Sequence, residues 1–344
     1  MASAASMTNP IYTANLIKAS DGTKYVLKDA LIDLNVSHAE NEIAEKVTLS
    51  LVNVKVGTSK LSSLISLRDK LYVYANTGNG AKEVFRGIVW TKDGPEDAGS
   101  KETSMVCYDR LIYLMKSKDN LFVKKGKKTK DVITSIAKNW GFKISFKYKS
   151  ITHGKLVYHS QYIADIIIDI LEKTKKSTGV DYVIRMDKDV IVIDSVGTNT
   201  TIYKIAKKEN AIKTNYKQSM EDMVTKVKIV KAETVKKSGS SSETGKYLTV
   251  TSVKKNTDKY GTLQDIVVKE KDEKLSEAKK EANEILKEHA TPKIEAEAAA
   301  IDNPWIKKGD KVHISAGVMN NYYIVKGIEH DATEKIMYLE VKKA

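Results

Sequence analysis

Apolar and polar residues alternate along several short stretches of the first 108 residues, and this period of two predicts β-strands. The clearest stretch is 46–56 (KVTLSLVNVKV), in which Val47, Leu49 and Leu51 alternate with more polar neighbours. Asp-Gly and Asn-Gly pairs between the stretches predict turns. The predicted strands are 30–37, 46–56, 70–75, 83–91 and 102–108, followed by a short helix at 109–116. Short strands at this spacing favour a barrel or a sandwich.

The apolar period changes from two to that of a helix between residues 122 and 194. Val132, Ile133, Ile136 and Ala137 share one face of a helix predicted over 129–138. A strand at 142–148, a second helix at 161–175 and a hairpin at 181–194 complete a predicted α/β module of about 80 residues, which is within the usual size of a small domain.

Strand patterns return after residue 201. They cover 224–230, 247–253, 263–268, 293–301, 311–315, 322–329 and 336–342. The Ser/Gly-rich segment 236–245 predicts a loop. A helix is predicted over 272–289, with Glu and Lys on its outer face and Pro292 shortly after its end.

The last third of the chain repeats a pattern of the first third. Residues 69–75 (DKLYVYA) align with 310–316 (DKVHISA), and 84–88 (VFRGI) align with 324–328 (IVKGI). Two unrelated strand pairs with a common alternation would give a similar match, and that alternative stays open. A true repeat predicts two like barrels in one chain. Three such chains around a threefold axis would present six barrels, which is the geometry of an adaptor between threefold and sixfold partners.

We therefore expect a mainly β (α+β) fold with two tube-like β-barrels that flank a small α/β insert. The expected domains are 1–115 for the first barrel, 116–200 for the insert and 201–344 for the second barrel.

The positive charge of the chain is concentrated in the predicted insert. The 344 residues carry a net charge of +14, and residues 116–160 contain twelve Lys and two Asp, a net charge of +10. Only four Arg occur in the chain, although nucleic-acid readers usually favour the planar guanidinium of Arg. Two interpretations stay open: a solvated lysine surface, or a docking face for an acidic partner or a nucleic-acid backbone.

Candidate catalytic chemistry is absent from the sequence. Cys107 is the single cysteine, and its place in an alternating strand predicts a buried thiol. The six histidines form no HExxH pair, and the sequence has no nucleophile-elbow or phosphate-loop motif. No secretory signal or membrane-spanning run is present. We expect no enzyme activity, no catalytic, cofactor-binding or metal-binding residues, no cofactor and no stable membrane insertion.

Four segments resemble the tail hub proteins of contractile phages and phage-like particles, of the XkdQ and YqbQ kind found in PBSX-like elements. They are CYDRLIYL at 107–114 with the following Lys116-Ser117-Lys118, YGTLQ at 260–264, KGDKV at 308–312 and VKGIEH at 325–330. The resemblance spans most of the chain from about residue 20 onward.

This resemblance implies a homotrimeric structural hub, assembled in the bacterial cytoplasm, in a phage tail or a phage-like bacteriocin particle. Its implied partners are the hexameric tail tube protein, the trimeric central spike protein, other baseplate proteins and the tape-measure protein, with DNA at most passing through the lumen. The chain ends at Ala344 after the second predicted barrel, so we expect no fused cell-wall hydrolase. A basic nucleic-acid-binding protein and a cell-wall-binding or hydrolysing tail component remain the alternatives.

Overall fold

A computed structural model describes residues 9–93, 101–146, 148, 150–237, 240–269 and 274–344, with the backbone alone for 233–245. The described chain is mainly β, as the alternating pattern predicts.

Short strands dominate the first third of the chain. They are β1 (Ile11–Ile17), β2 (Lys24–Val26), β3 (Leu31–His38), β4 (Lys46–Val52), β5 (Lys55–Val56), β6 (Ser59–Lys60), β7 (Lys70–Asn76), β8 (Ala81–Asp93) and β9 (Glu102–Tyr108), with short helices α1 (Leu61–Leu64) and α2 (Ile112–Lys116). The prediction of one strand over 46–56 is wrong, because the chain leaves the ladder after Val52. Asn53 lies at this break, and its Oδ1 accepts the backbone N–H of Ser62 at 2.9 Å.

The segment 118–195, which the sequence predicts as the insert, alternates strands and helices. Its elements are β10 (Lys118–Val123), α3 (Thr129–Asn139), β11 (Lys143–Phe146), β12 (Leu156–Tyr162), α4 (Ile163–Thr178), β13 (Tyr182–Asp187) and β14 (Val190–Ser195). Both predicted helices and the hairpin are confirmed. The predicted strand 142–148 is shorter, and residue 147 lies outside the described residues. Helix α4 ends at Gly179, whose φ of 73° is a left-handed conformation that glycine adopts without strain.

Strands return in the last third of the chain. The elements are β15 (Tyr203–Ala206), β16 (Ala211–Ser219), β17 (Lys226–Lys237), β18 (Ser240–Lys254), α5 (Thr257–Tyr260), β19 (Gln264–Lys269), α6 (Leu275–His289), β20 (Lys293–Ile301), β21 (Lys311–Ala316), β22 (Met319–Asp331) and β23 (Ile336–Lys343). The loop predicted over 236–245 is wrong for most of its length, since β17 and β18 extend into it; residues 238–239 lie outside the described residues. The predicted helix over 272–289 corresponds to α6, and residues 272–273 also lie outside them.

The chain divides into two compact units. Unit 1 consists of the described part of residues 1–215 together with Ala296–Ala344, and unit 2 consists of Tyr216–Glu295. In unit 2, the strands β18, β17 and β19 form a three-stranded sheet. Its core contains Val227, Ile229 and Val267 from the sheet with Ala278, Ala282 and Leu286 from α6.

A 13-stranded sheet runs in the order β16-β20-β23-β22-β3-β4-β9-β8-β7-β1-β2, with β21 paired to β22 and β15 to β21. Both parts of the sequence repeat lie in it, and the ladder between β3 and β22 joins them. Among the described strands this path is open at both ends, so the closed barrels and the division of the chain at residues 115 and 200 stay predictions.

One face of the sheet is apolar and the other is polar. Leu49, Leu71 and Val73 point into a buried core on the apolar face. On the opposite face, cross-strand neighbours form a polar row from β23 to β4: Tyr338, Glu329, Ser37 and Lys46. The row ends at β9, where Tyr108 packs against a second apolar core. The clean alternation of the strands is the sequence signal for this division.

Candidate assembly site

Each copy of the repeat begins at a buried aspartate with the same backbone hydrogen bonds. Asp69 Oδ2 accepts the N–H of Ser66 at 2.8 Å, and Asp310 Oδ2 accepts the N–H of Lys307 at 2.9 Å. The backbone N–H of each aspartate also donates to the carbonyl of the residue three positions earlier, at 3.2 and 3.0 Å. These two turns, which we call the repeat corners, are therefore the same local structure made twice.

The residue before each aspartate adopts a left-handed conformation. Arg68 has φ of 69° and Gly309 has φ of 89°. The Arg68 N–H donates to the carbonyl of Val89, and the Val89 N–H donates to the carbonyl of Asp69. Gly309, Val325 and Asp310 form the same two bonds at the second corner. A shared positive φ is a stronger sign of a common structure than shared alternation, since few residues other than glycine adopt it.

Each corner aspartate pairs with a cation from a different part of unit 1. Lys18 Nζ lies 2.7 Å from Asp69 Oδ2, and Arg185 Nη1 lies 3.1 Å from Asp310 Oδ1. Burial raises the pKa of Asp310, while the Lys307 N–H and the Arg185 guanidinium act in the opposite direction. The second corner thereby connects the repeat to β13 of the insert.

The ladders correct the residue alignment of the repeat. Lys70 pairs with Ile88, whereas Lys311 pairs with Ile324, so Ile88 corresponds to Ile324 and not to Ile328. The sequence alignment of 84–88 with 324–328 is therefore wrong in register. The corrected register is supported by a second feature, because the ladder to the third strand is irregular after Val89 in one copy and after Val325 in the other. The β7–β8 hairpin is longer than the β21–β22 hairpin. Gly87 and Gly327, which guided the sequence alignment, therefore lie at different positions in the two copies.

The strands β3 and β4 join the two copies, since β3 pairs with β22 and β4 pairs with β9. Residues 35–38 pair antiparallel with residues 328–331 in the β3–β22 ladder. Behind it, Asp302 accepts the Tyr12 hydroxyl at 2.6 Å and lies 2.6 Å from His330 Nδ1. His330 Nε2 lies 3.2 Å from the carbonyl of Ile306. This network connects the first strand of the chain to the second copy of the repeat.

A lysine holds the loop that follows β3. Lys308 Nζ donates to the carbonyls of Ala39, Glu40 and Glu42 at 2.6 to 2.7 Å. Burial lowers the pKa of Lys308 to about 8. We call β3, β22, the loop 39–45 and the network around Asp302 the repeat junction.

The aspartate of the CYDRLIYL segment closes the other end of the same loop. Asp109 Oδ2 accepts the N–H of Glu45 at 3.0 Å, and Oδ1 accepts the N–H of Leu111 at 2.8 Å. Burial raises the pKa of Asp109 well above its usual value. Asp109 therefore has a structural role, as it connects the end of β9 to the repeat junction.

The polar face of the sheet contains a groove of about 550 Å³ beside the repeat junction. Lys46, Lys213, Glu297, Glu329 and Glu340 contribute charges of both signs to its lining. Such a wall carries charges of both signs beside apolar side chains and has no strong charge of either sign.

The structure shows the predicted thiol in the core. Cys107 is buried, and burial raises its pKa, which makes it a poor nucleophile. His38 and His153 are buried and bonded to Glu42 and Thr129, respectively. Within the described part of the chain, no group of three His, Cys, Asp or Glu residues is arranged to hold a metal ion. The absence of enzyme activity stays a prediction.

The described helices also bear on membrane insertion. No helix in the described ranges combines the length and the apolar character needed to cross a bilayer.

Sequence reasoning missed the long-range part of the site. It identified the Asp-Lys pairs at 69–70 and 310–311 and the KGDKV segment that contains Lys308, but not Tyr12 or Asp302. Tyr12 and Asp302 lie 290 residues apart, and neither belongs to a local motif.

The model of the YqbQ-like family matches residues 34–342 of the chain. YqbQ of Bacillus subtilis is 26% identical over 266 residues, which cover 73% of this chain and 77% of YqbQ. The phage-like element PBSX protein XkdQ of the same organism is 24% identical over 310 residues, which cover 85% of this chain and 91% of XkdQ.

Two solved structures share the fold at low sequence identity. The 43 kDa tail protein of prophage MuSo2 from Shewanella oneidensis matches with a TM-score of 0.68 and 11% identity, over 97% of this chain and 98% of its own. The E. coli c3393 protein matches with a TM-score of 0.54 and 6% identity, over 92% of this chain and 74% of its own. That protein is described as a component of the type VI secretion system with structural similarity to the T4 tail proteins gp27 and gp5.

Proposed function

The chain belongs to the YqbQ-like family, and from that premise we propose that it is the structural hub of a contractile phage or phage-like tail. In this role it joins the hexameric inner tube to the trimeric central spike and provides the platform on which baseplate and tube assemble. The relatives support this placement, because XkdQ is a protein of a phage-like element and c3393 resembles T4 tail proteins.

The repeat corners are the observation that carries the proposal. Asp69 and Asp310 begin two antiparallel three-stranded units, β7-β8-β9 and β21-β22-β23, which belong to one sheet. A chain that contains the same β unit twice presents six units when three copies assemble around an axis. A sixfold ring can then bind to one side of a threefold protein without a mismatch of symmetry.

The repeat junction gives such a ring its stiffness. A ladder of backbone hydrogen bonds and a buried Tyr12–Asp302–His330 network connect the two copies, so they move together. The partners in this proposal are two further copies of the chain, the tube protein, the spike protein and other baseplate proteins.

The polar face of the sheet is the wall we assign to the lumen. Its mixed charges and the groove beside Lys46 and Glu329 suit a surface along which the tape-measure protein slides without strong binding. DNA at most passes through this lumen.

The copy number in purified tails tests the proposal. We expect three copies of this chain per tail against six tube subunits per ring, measured by quantitative mass spectrometry with isotope-labelled peptides. Light scattering on the chain co-expressed with its spike protein should give three copies of each. Six copies per tail, or density for the chain outside the tube axis in electron micrographs, would contradict the hub assignment.

A further inference from the structure

The strands β10 and β12 form a two-stranded ribbon with one apolar side chain pair left in solvent. Its inner face packs Leu121, Val123 and Tyr158 against the core. On the outer face, Phe122 and Val157 lie directly opposite each other in the ladder. They are 55% and 64% exposed, respectively. A cross-strand pair of this kind normally packs against something, because its burial is favourable by a few kcal/mol.

Lysines surround this pair. Lys155 Nζ lies 5.5 Å from the centre of the Phe122 ring, and Lys118 Nζ lies 4.8 Å from the centre of the Tyr162 ring. Lys124 comes directly after the end of β10 and is exposed. We call Phe122, Val157, Lys118, Lys124 and Lys155 the ribbon face.

These lysines have no acidic partner in the part of the chain that the structure describes. Fourteen ion pairs are formed there, and none includes Lys118, Lys124 or Lys155. The surrounding segment 116–160 has a net charge of +10. The ribbon face therefore presents uncompensated positive charge around an apolar centre, which is the arrangement of a protein interface with a hydrophobic core and a charged rim.

We propose that the ribbon face docks an acidic surface of another protein in the same tail, with Phe122 and Val157 seated in an apolar depression of that partner. The partner surface is not a second ribbon face, because the segment 116–160 carries a net charge of +10 and two such faces repel each other; we therefore assign it to a different protein. The partner is a protein and not a nucleic acid because an exposed valine opposite the aromatic ring gains from apolar contact and contributes nothing to phosphate binding. This inference rests on the proposed function for the presence of both proteins in one particle.

Photo-crosslinking in assembled tails tests the docking. Val157 is replaced by p-benzoylphenylalanine in cells that produce the tail, and Val318, which is 80% exposed on the β21–β22 hairpin, is replaced in the control. We expect the position-157 adduct to contain one other tail protein. A carbodiimide, which joins amines to carboxylates without a spacer, should connect Lys118 or Lys155 to Asp or Glu of that protein. The control adduct should not contain it.

Matched charge reversals test the role of the lysines. The triple variant Lys118→Glu, Lys124→Glu and Lys155→Glu should lower the position-157 adduct at least tenfold. The triple variant Lys279→Glu, Lys280→Glu and Lys287→Glu changes the net charge equally at exposed positions of α6, and it should leave the adduct unchanged.

Four results would overturn the docking inference. They are an adduct that nuclease removes, an adduct with a second copy of this chain, an adduct insensitive to the ribbon lysines, and no adduct in tails that contain the chain. The last result leaves the hub assignment intact, whereas absence of the chain from purified tails overturns both.

Discussion

Several polar groups in the interior of the described chain are satisfied by backbone groups as well as by opposite charge. Asp109 takes two backbone N–H groups, and Lys308 gives its ammonium protons to three carbonyls. The corner aspartates combine both solutions, with a backbone N–H and a cation each. Such groups hold turns in place because removal of one partner leaves a buried charge or dipole unpaired.

His38 is another buried polar group bonded to the backbone, and its lowered pKa predicts that acid destabilises the protein. Its Nε2 lies 3.1 Å from the carbonyl of Glu42, and burial, with Lys308, Arg185 and Lys307 nearby, lowers its pKa to about 3. Below about pH 6.5, His38 is protonated in the unfolded chain but stays neutral in the folded chain. The free energy of unfolding should therefore fall by about 2 kcal/mol from this residue between pH 7 and pH 5.

Urea unfolding at the two pH values measures this effect. His38→Gln retains an N–H donor without titration, so its stability should decrease less on acidification than that of the wild type. His159→Gln, at an exposed position, should behave like the wild type. Equal acid sensitivity of His38→Gln and the wild type would contradict the assignment.

At the scale of elements, the two copies of the repeat differ in hairpin length and in where they place glycine. Gly87 lies where β8 crosses β9, and a Cβ there would be 2.3 Å from the backbone oxygen of Tyr108. At Gly327 a Cβ would meet the end of the Glu340 side chain at 3.0 Å and the Glu40 nitrogen at 3.3 Å. A flexible carboxylate can move aside, whereas a backbone carbonyl in a ladder cannot.

Alanine at these two glycines should therefore have unequal effects. Gly87→Ala should lower the free energy of unfolding by about 1–3 kcal/mol, the cost of overpacking a buried site. Gly327→Ala serves as the matched control and should cost less than about 1 kcal/mol, since the atom nearest to the new Cβ is the end of the flexible Glu340 side chain. Chemical denaturation measures the free energy of unfolding of both variants. Equal losses in the two would contradict the prediction, because they would mean that the backbone around Gly87 moves to make room for the new Cβ.

At the scale of the whole molecule, unit 2 is a self-contained insertion in unit 1. It has its own core between α6 and its sheet. Unit 1 is interrupted between residues 215 and 296, and at this break Asn215 Nδ2 lies 3.5 Å from Glu297 Oε2. The two ends of unit 1 are therefore already adjacent.

Replacement of 217–294 by a short linker of about four residues, a usual hairpin length, should leave unit 1 folded. The expected result is a cooperative thermal transition within a few degrees of the corresponding wild-type transition, followed by circular dichroism. Removal of 118–195 is the contrasting deletion, because it takes most of the core around Ile133, Ile167 and Ile193 and should unfold the chain. Loss of folded structure in the first deletion would show that unit 1 depends on unit 2.

Local patterns were sufficient for most elements. The alternation at 102–108 and the helical period at 129–138 each arise from residues within one element, and the structure confirms both. The strands β1, β2, β6, β10, β12, β15 and β16 were not predicted. Most of them pair with strands distant in sequence, as β1 does with β7 and β16 with β20, so their own pattern of residues does not specify the ladder.

The sequence by itself determined the β-rich fold class, the helices and hairpin between residues 118 and 195 and the burial of Cys107, and it indicated a repeat that begins at Asp69 and Asp310. Only the tertiary structure decided the register of that repeat, the junction through Tyr12, Asp302 and His330, and the exposure of Phe122 and Val157. The physical reason is the distance along the chain over which each signal acts. Side-chain periodicity reports the faces of a single element, whereas register and exposure depend on which distant segments pack against it.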